Sequence, residues 1–137
     1  MTSDAHRLVD LRGLRLLVVD DDADSGDLLH EVLKSAGAVV SSTRNVESAL
    51  THLRSEPYDV VISDLAMPGR DGIDLIAAIR TTRSLRGGKL PAIAVSGYPE
   101  RYEAVATSVG FDAFLRKPVN LDALCAVVRD LAEGRVT

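Results

Sequence analysis

The chain has 137 residues, enough for one ordinary domain with its own core. Hydrophobic residues make up 46% and charged residues 26%, which excludes an intrinsically disordered chain. The formal net charge of −4 argues against direct nucleic-acid binding, which needs clustered Lys and Arg to meet phosphates.

Residues 1–13, MTSDAHRLVDLRG, are polar and aperiodic and read as a tail or linker, with His6 an incidental surface residue. An apolar run, LRLLVVD from Leu14, then predicts a first strand. Leu28, Leu29, Val32, Leu33 and Ala36 follow at helical spacing, with Gly37 as the stop. A second strand, AVVSS from Ala38, is short and runs into Thr43, which suits a sheet edge. Asn45 is the expected N-cap of a helix carrying Val46, Ala49, Leu50 and Leu53. The third strand is YDVVISD from Tyr58, followed by a helix with Leu75, Ile76 and Ile79. Arg80, Arg83, Arg86 and Lys89 are the nearest approach to a basic cluster and read as a solvated helix end and loop.

PAIAVS from Pro91 is the fourth strand. Val105 and Val109 mark a weaker helix that stops at Gly110, and DAFLR from Asp112 is the fifth strand. Asn120 should cap the last helix. Its stripe of Leu121, Leu124, Cys125, Val128 and Leu131 makes the lone Cys125 a buried small hydrophobe. Gly134 ends that helix, leaving 133–137 as a C-terminal tail and 14–132 as the domain. No apolar run is long enough to span a membrane and no secretory signal precedes the first strand. A cytoplasmic protein without membrane contact is expected.

Five strands alternating with five helices imply an α/β fold of right-handed βαβ units. Continuously apolar first and third strands belong at the centre of the sheet. The expected architecture is a flavodoxin-like (βα)5 doubly wound parallel sheet of order 2-1-3-4-5. Ligands of such sheets sit at the carboxyl ends of the strands beside the switch point.

Those ends carry an unusual set. The first strand runs into Asp20, Asp21 and Asp22, the third into Asp64, the fourth into Ser96-Gly97 and the fifth into Lys117-Pro118. Carboxylates brought together repel and raise one another's pKa, and a cation resolves the conflict. An all-oxygen cluster suits Mg2+. Helix capping is the competing reading for Asp22 and Asp24, and a poor one for Asp64, which ends an apolar strand. Lys117 and Ser96 on the same rim suit a transferring phosphoryl group.

The motifs VVDDD, SDLAMPGRDG, AVSG and FLRKP, in that order and spacing, resemble those of response-regulator receiver domains of bacterial two-component signalling. The resemblance runs from about Leu14 to Leu131. It implies that Asp64 is the phosphoacceptor. It also implies that Asp20, Asp21, Asp64 and the backbone carbonyl of Ala66 hold Mg2+ or Mn2+, with Asp20 acting through water. Ser96 and Lys117 would bind the phosphoryl group, Ser96 and Phe114 would form the switch, and the Lys117–Pro118 bond would be cis. Ala66 and Tyr98 would flank the path of hydrolytic water. The implied partner is a histidine kinase or a histidine phosphotransfer protein, and some members dimerise through the face between the fourth and fifth helices. Several phrases look most like receivers of hybrid sensor histidine kinases. Such a domain catalyses its own phosphorylation and dephosphorylation without turning over a separate substrate.

Three rivals remain at this level. A haloacid-dehalogenase-type phosphatase needs Thr or Val where Asp24 stands, and a cap domain that this length does not supply. A nucleotide or flavin module would need a Gly- or hydroxyl-rich first loop instead of three acids. A degenerate receiver signalling by contact alone is disfavoured by the intact set of acids, Ser96 and Lys117.

Overall fold

The structure, a computed structural model, describes residues 9–67, 69–97 and 101–134; His6 and Tyr98 lie outside them. Strands and helices alternate as β1 (Arg15–Val19), α1 (Ala23–Ser35), β2 (Val39–Thr43), α2 (Val46–Ser55), β3 (Val60–Asp64), α3 (Gly72–Arg80), β4 (Ala92–Ser96), α4 (Arg101–Val109), β5 (Ala113–Arg116) and α5 (Leu121–Ala132). All four pairings are parallel, in the order β2-β1-β3-β4-β5, so the fold is flavodoxin-like.

The period of two along each strand sends successive side chains to opposite faces. Leu16, Val18, Val60, Ile62, Ile93 and Val95 pack under α1 and α5, against Leu29, Leu33, Leu124, Cys125 and Val128. Leu17, Val19, Val61, Ala92 and Ala94 face α2, α3 and α4. Covering on both faces is why β1, β3 and β4 carry almost no polar residue until their last positions. Edge strand β2 is different, with Val39 and Ser42 exposed.

The helix ends follow local chemistry. The side chains of Asn45 and Asn120 accept from the N–H groups of Ser48 and Ala123. Asp71 and Asp74 form a reciprocal capping box at the start of α3. After α1, Gly37 takes φ 108° and donates to the Lys34 carbonyl while Ala38 donates to Leu33, a left-handed turn that favours glycine.

Two regions depart from expectation. Within the expected lead-in, Leu11 is fully buried in the α1/α5 core and its N–H donates to the Ala36 carbonyl at 2.8 Å. The Asp10 carbonyl accepts from Arg129 of α5. Residues 9–13 are thus packed onto the domain body, because Leu11, with Val9 partly buried beside it, joins the apolar cluster that α1 and α5 line. Leu11→Ala is expected to cost about 2–3 kcal/mol, the range for a leucine removed from a closed core, and urea unfolding followed by circular dichroism measures it.

Arg80 is the second departure. It is not a solvated helix end: its guanidinium is directed inward and bonds the carbonyls of Gly88, Leu90 and Gly110 together with Asp112. Arg86 is exposed, as expected, and also donates to the Tyr58 carbonyl and to Asp59.

Candidate functional site

The carboxyl ends of β1, β3, β4 and β5 lie side by side because the order places β1 against β3 and β4 between β3 and β5. Asp20 and Asp21 leave β1, Asp64 ends β3, Ser96 ends β4, and Lys117 follows β5. Oxygens of Asp20, Asp21 and Asp64 lie within 4.8 Å of one another. Lys117 Nζ stands 3.4 Å from Asp20 Oδ2 and 3.6 Å from Asp64 Oδ2. The Lys117 N–H extends the ladder by donating to the Ser96 carbonyl at 2.8 Å, which fixes these two residues next to each other. The Lys117–Pro118 peptide is cis.

The three acids are not equivalent. Asp20 is buried: its Oδ1 accepts from the Asp22 N–H at 3.0 Å and its Oδ2 faces Lys117. Asp21 is the most accessible of the three, and no hydrogen bond or ion pair among the described residues engages its oxygens. Asp64 is buried, and its carboxyl is pushed up to about 6, chiefly by desolvation. Lys117 opposes that rise, Asp20 adds to it, the Ala66 backbone N–H opposes it by donating to the carboxylate, and Asp21 adds a little more. Three clustered acids thus face one ammonium, which pairs with two of them. An excess of negative charge on an all-oxygen donor set fits a hard divalent cation.

Asp22 stands apart from this cluster, because its side chain caps α1 by accepting from Ser25 at 3.1 Å. Ser96 is fully buried at the end of β4. Phe114 pairs with Ala94 in register and packs, partly buried, on the α2–α4 side of the sheet. Ala66 is half-buried, two residues beyond Asp64.

Two supporting residues were not singled out by the sequence reading. The buried Ser63 hydroxyl donates to the Asp64 carbonyl at 2.9 Å. Gly72 backs onto the same peptide: a Cβ there would lie 2.5 Å from the Asp64 carbonyl oxygen and 2.9 Å from Leu65 Cα, so α3 starts hard against the end of β3. Asp-Gly at a capped helix start was the only available signal for Gly72.

The response regulator receiver domain family model matches residues 16–129. The chain belongs to the response-regulator receiver family. Among curated relatives, this receiver is 40% identical over 111 residues to an uncharacterized 14.6 kDa protein of Leptolyngbya boryana, covering 80% of this chain and 83% of that one. It is 34% identical over 128 residues to the sensor histidine kinase GacS of Pseudomonas protegens, covering 92% of this chain but only 14% of the kinase. Among solved structures, a response regulator receiver protein from Pseudomonas putida superposes with a TM-score of 0.78 at 35% identity, covering 89% of this chain and 99% of that one. The receiver thus matches some relatives nearly whole and others as a small part of a longer protein. Among its described residues no helix is long and apolar enough to cross a membrane.

Proposed function

We propose that this receiver accepts a phosphoryl group on Asp64 from a phosphohistidine of a histidine kinase or histidine phosphotransfer protein, in a reaction that depends on Mg2+ or Mn2+. The observation that carries the reading is the convergence of three carboxylates with Lys117, whose Nζ is 3.6 Å from Asp64. Asp21, Asp64 and the Ala66 carbonyl would hold the cation directly. Asp20, already engaged by the Asp22 N–H and Lys117, would act through water. When bound, the cation supplies positive charge that offsets repulsion between the acids and an anionic donor.

An Asp64 oxygen attacks phosphorus, the P–N bond to the donor histidine breaks, and the imidazole leaves with the bonding pair and takes up a proton. Charge growing on the phosphoryl oxygens is met by the Lys117 ammonium and the Ser96 hydroxyl. Ser96 drawn toward the new acyl phosphate leaves space that Phe114 fills, so α4 and β5 present a different surface. The output is that surface, not a released product, and the receiver promotes its own phosphorylation and dephosphorylation without a separate substrate. The similarity to part of GacS supports a place within, or beside, a hybrid sensor histidine kinase, on the cytoplasmic side.

Incubation with Mg2+ and acetyl phosphate, followed by intact mass and peptide mapping, tests this. One phosphoryl adduct on Asp64, lost when EDTA replaces Mg2+, is expected. If the adduct is absent and beryllofluoride also fails to bind, the reading is wrong.

A further inference from the structure

The amino ends of the strands, opposite Asp64, carry a second concavity. A cavity of about 340 Å³ opens between the α2–β3 connection and the loop that leads into β4. Its floor is apolar, with Leu53, Tyr58, Leu85 and Leu90 all buried. Its rim holds Arg54 and Arg86, against one acid, Glu56. That acid is already shared: its Oε1 lies 3.3 Å from Arg15 Nη2 and accepts from the Tyr58 hydroxyl at 3.3 Å. Arg54 makes no hydrogen bond or ion pair among the described residues. Arg86 uses only Nη2, on the Tyr58 carbonyl and Asp59, so the rest of its guanidinium faces outward.

The backbone supplies an independent sign. Arg86 has a φ of 55°, and it is the one non-glycine residue with a positive φ among the described residues. A long side chain in that region is uncommon, and such strain gathers where a ligand or switch needs a group held in place. Here it brings a guanidinium to the mouth of an apolar pocket in a chain whose overall charge is negative. Pockets of this size, mostly apolar with a few convergent polar groups, are the usual form of small-molecule sites.

We infer that this pocket binds a small organic monocarboxylate with a flat apolar body, its carboxylate held between Arg54 and Arg86 and its ring on Tyr58, Leu85 and Leu90. Planar guanidinium groups match a carboxylate in geometry and charge. The nearby Glu56 disfavours a dianion, which selects a carboxylate over a phosphate monoester. β3 runs from the pocket's Tyr58 side to Asp64, so the ligand would bear on the same strand as the acceptor from its far end.

The test is an amide-resonance titration of the whole chain with 3-phenylpropionate. Phenylpropionamide and phenyl phosphate serve as matched probes, and Arg54→Gln and Arg86→Gly as variants; glycine at 86 removes the guanidinium while suiting the positive φ. Saturable shifts confined to Leu53–Tyr58 and Ser84–Leu90 are expected, with a Kd of about 1 mM for so small a probe. Each variant should weaken binding at least about tenfold, the loss of one charge-assisted contact. Folded variants that bind as wild type does, equal binding of the amide, tighter binding of the phosphate ester, or no saturable shift would each overturn the assignment.

Discussion

Asp64→Asn is expected to abolish phosphoryl acceptance and, in the metal-free protein near neutral pH, to raise the unfolding free energy by about 2–3 kcal/mol. The loss follows from removal of the nucleophilic oxygen. The gain follows from the acid's surroundings. Its carboxyl titrates at about 6 in the folded chain, because burial and the neighbouring Asp20 and Asp21 outweigh Lys117 and the Ala66 N–H. An acid whose folded pKa lies above its unfolded value makes the folded state bind more protons between the two. Stability contributed by that proton is therefore present below about 4 and is lost as pH rises from about 4 to about 6. Above that window the wild type carries the full penalty and the asparagine variant does not. Thermal melts of both proteins across pH 4.5–8 should diverge with rising pH. Mg2+ should then stabilise the wild type and leave Asp64→Asn nearly unchanged. Curves that stay parallel across this window would mean that Asp64 is not destabilised by its site.

Arg80→Ala is expected to cost about 3–5 kcal/mol, because several partly buried polar groups lose their donor at once. Nη1 bonds the carbonyls of Gly88 and Leu90 at 2.9 and 2.6 Å, and Nε and Nη2 bond that of Gly110 at 2.9 and 2.6 Å. Nη2 also meets Asp112 Oδ2 at 3.0 Å, and that oxygen accepts from the Ala92 N–H, where β4 begins. One side chain thus joins the end of α3, the loop into β4 and the turn between α4 and β5. Lysine at 80 should recover only a minor part, since a single ammonium cannot reach three carbonyls set around a planar fork. Urea unfolding of Arg80→Ala and Arg80→Lys measures both effects. A cost near that of an ordinary surface substitution in the alanine variant would show that the carbonyls find water instead.

The element order, sheet order and caps at Asn45 and Asn120 were legible in the sequence because each rests on local chemistry: apolar period, strand length, a capping amide. The cluster of Asp20, Asp21 and Asp64 was legible one step further on, since strand order alone makes neighbours of the ends of β1 and β3. Arg80 and Leu11 were not. Their roles depend on what stands opposite them in space, three loop carbonyls in one case and the apolar cluster of α1 and α5 in the other. No periodicity announces either. The cap that Asp22 forms on α1 was open in the sequence as a competing reading, but only the folded backbone reveals that its N–H also occupies Asp20.

The hydrogen bond from Arg129 to the Asp10 carbonyl joins the start of the described chain to its last helix at the end of the sheet remote from Asp64. Two points this near each other, close to the two ends of the described segment, suit a domain to circular permutation. Linkers attached at that pole would leave the opposite end of the sheet, where Asp64 lies, uncovered. A permutant joined near Asp10 and Arg129 and reopened at an exposed loop should keep its acceptor chemistry.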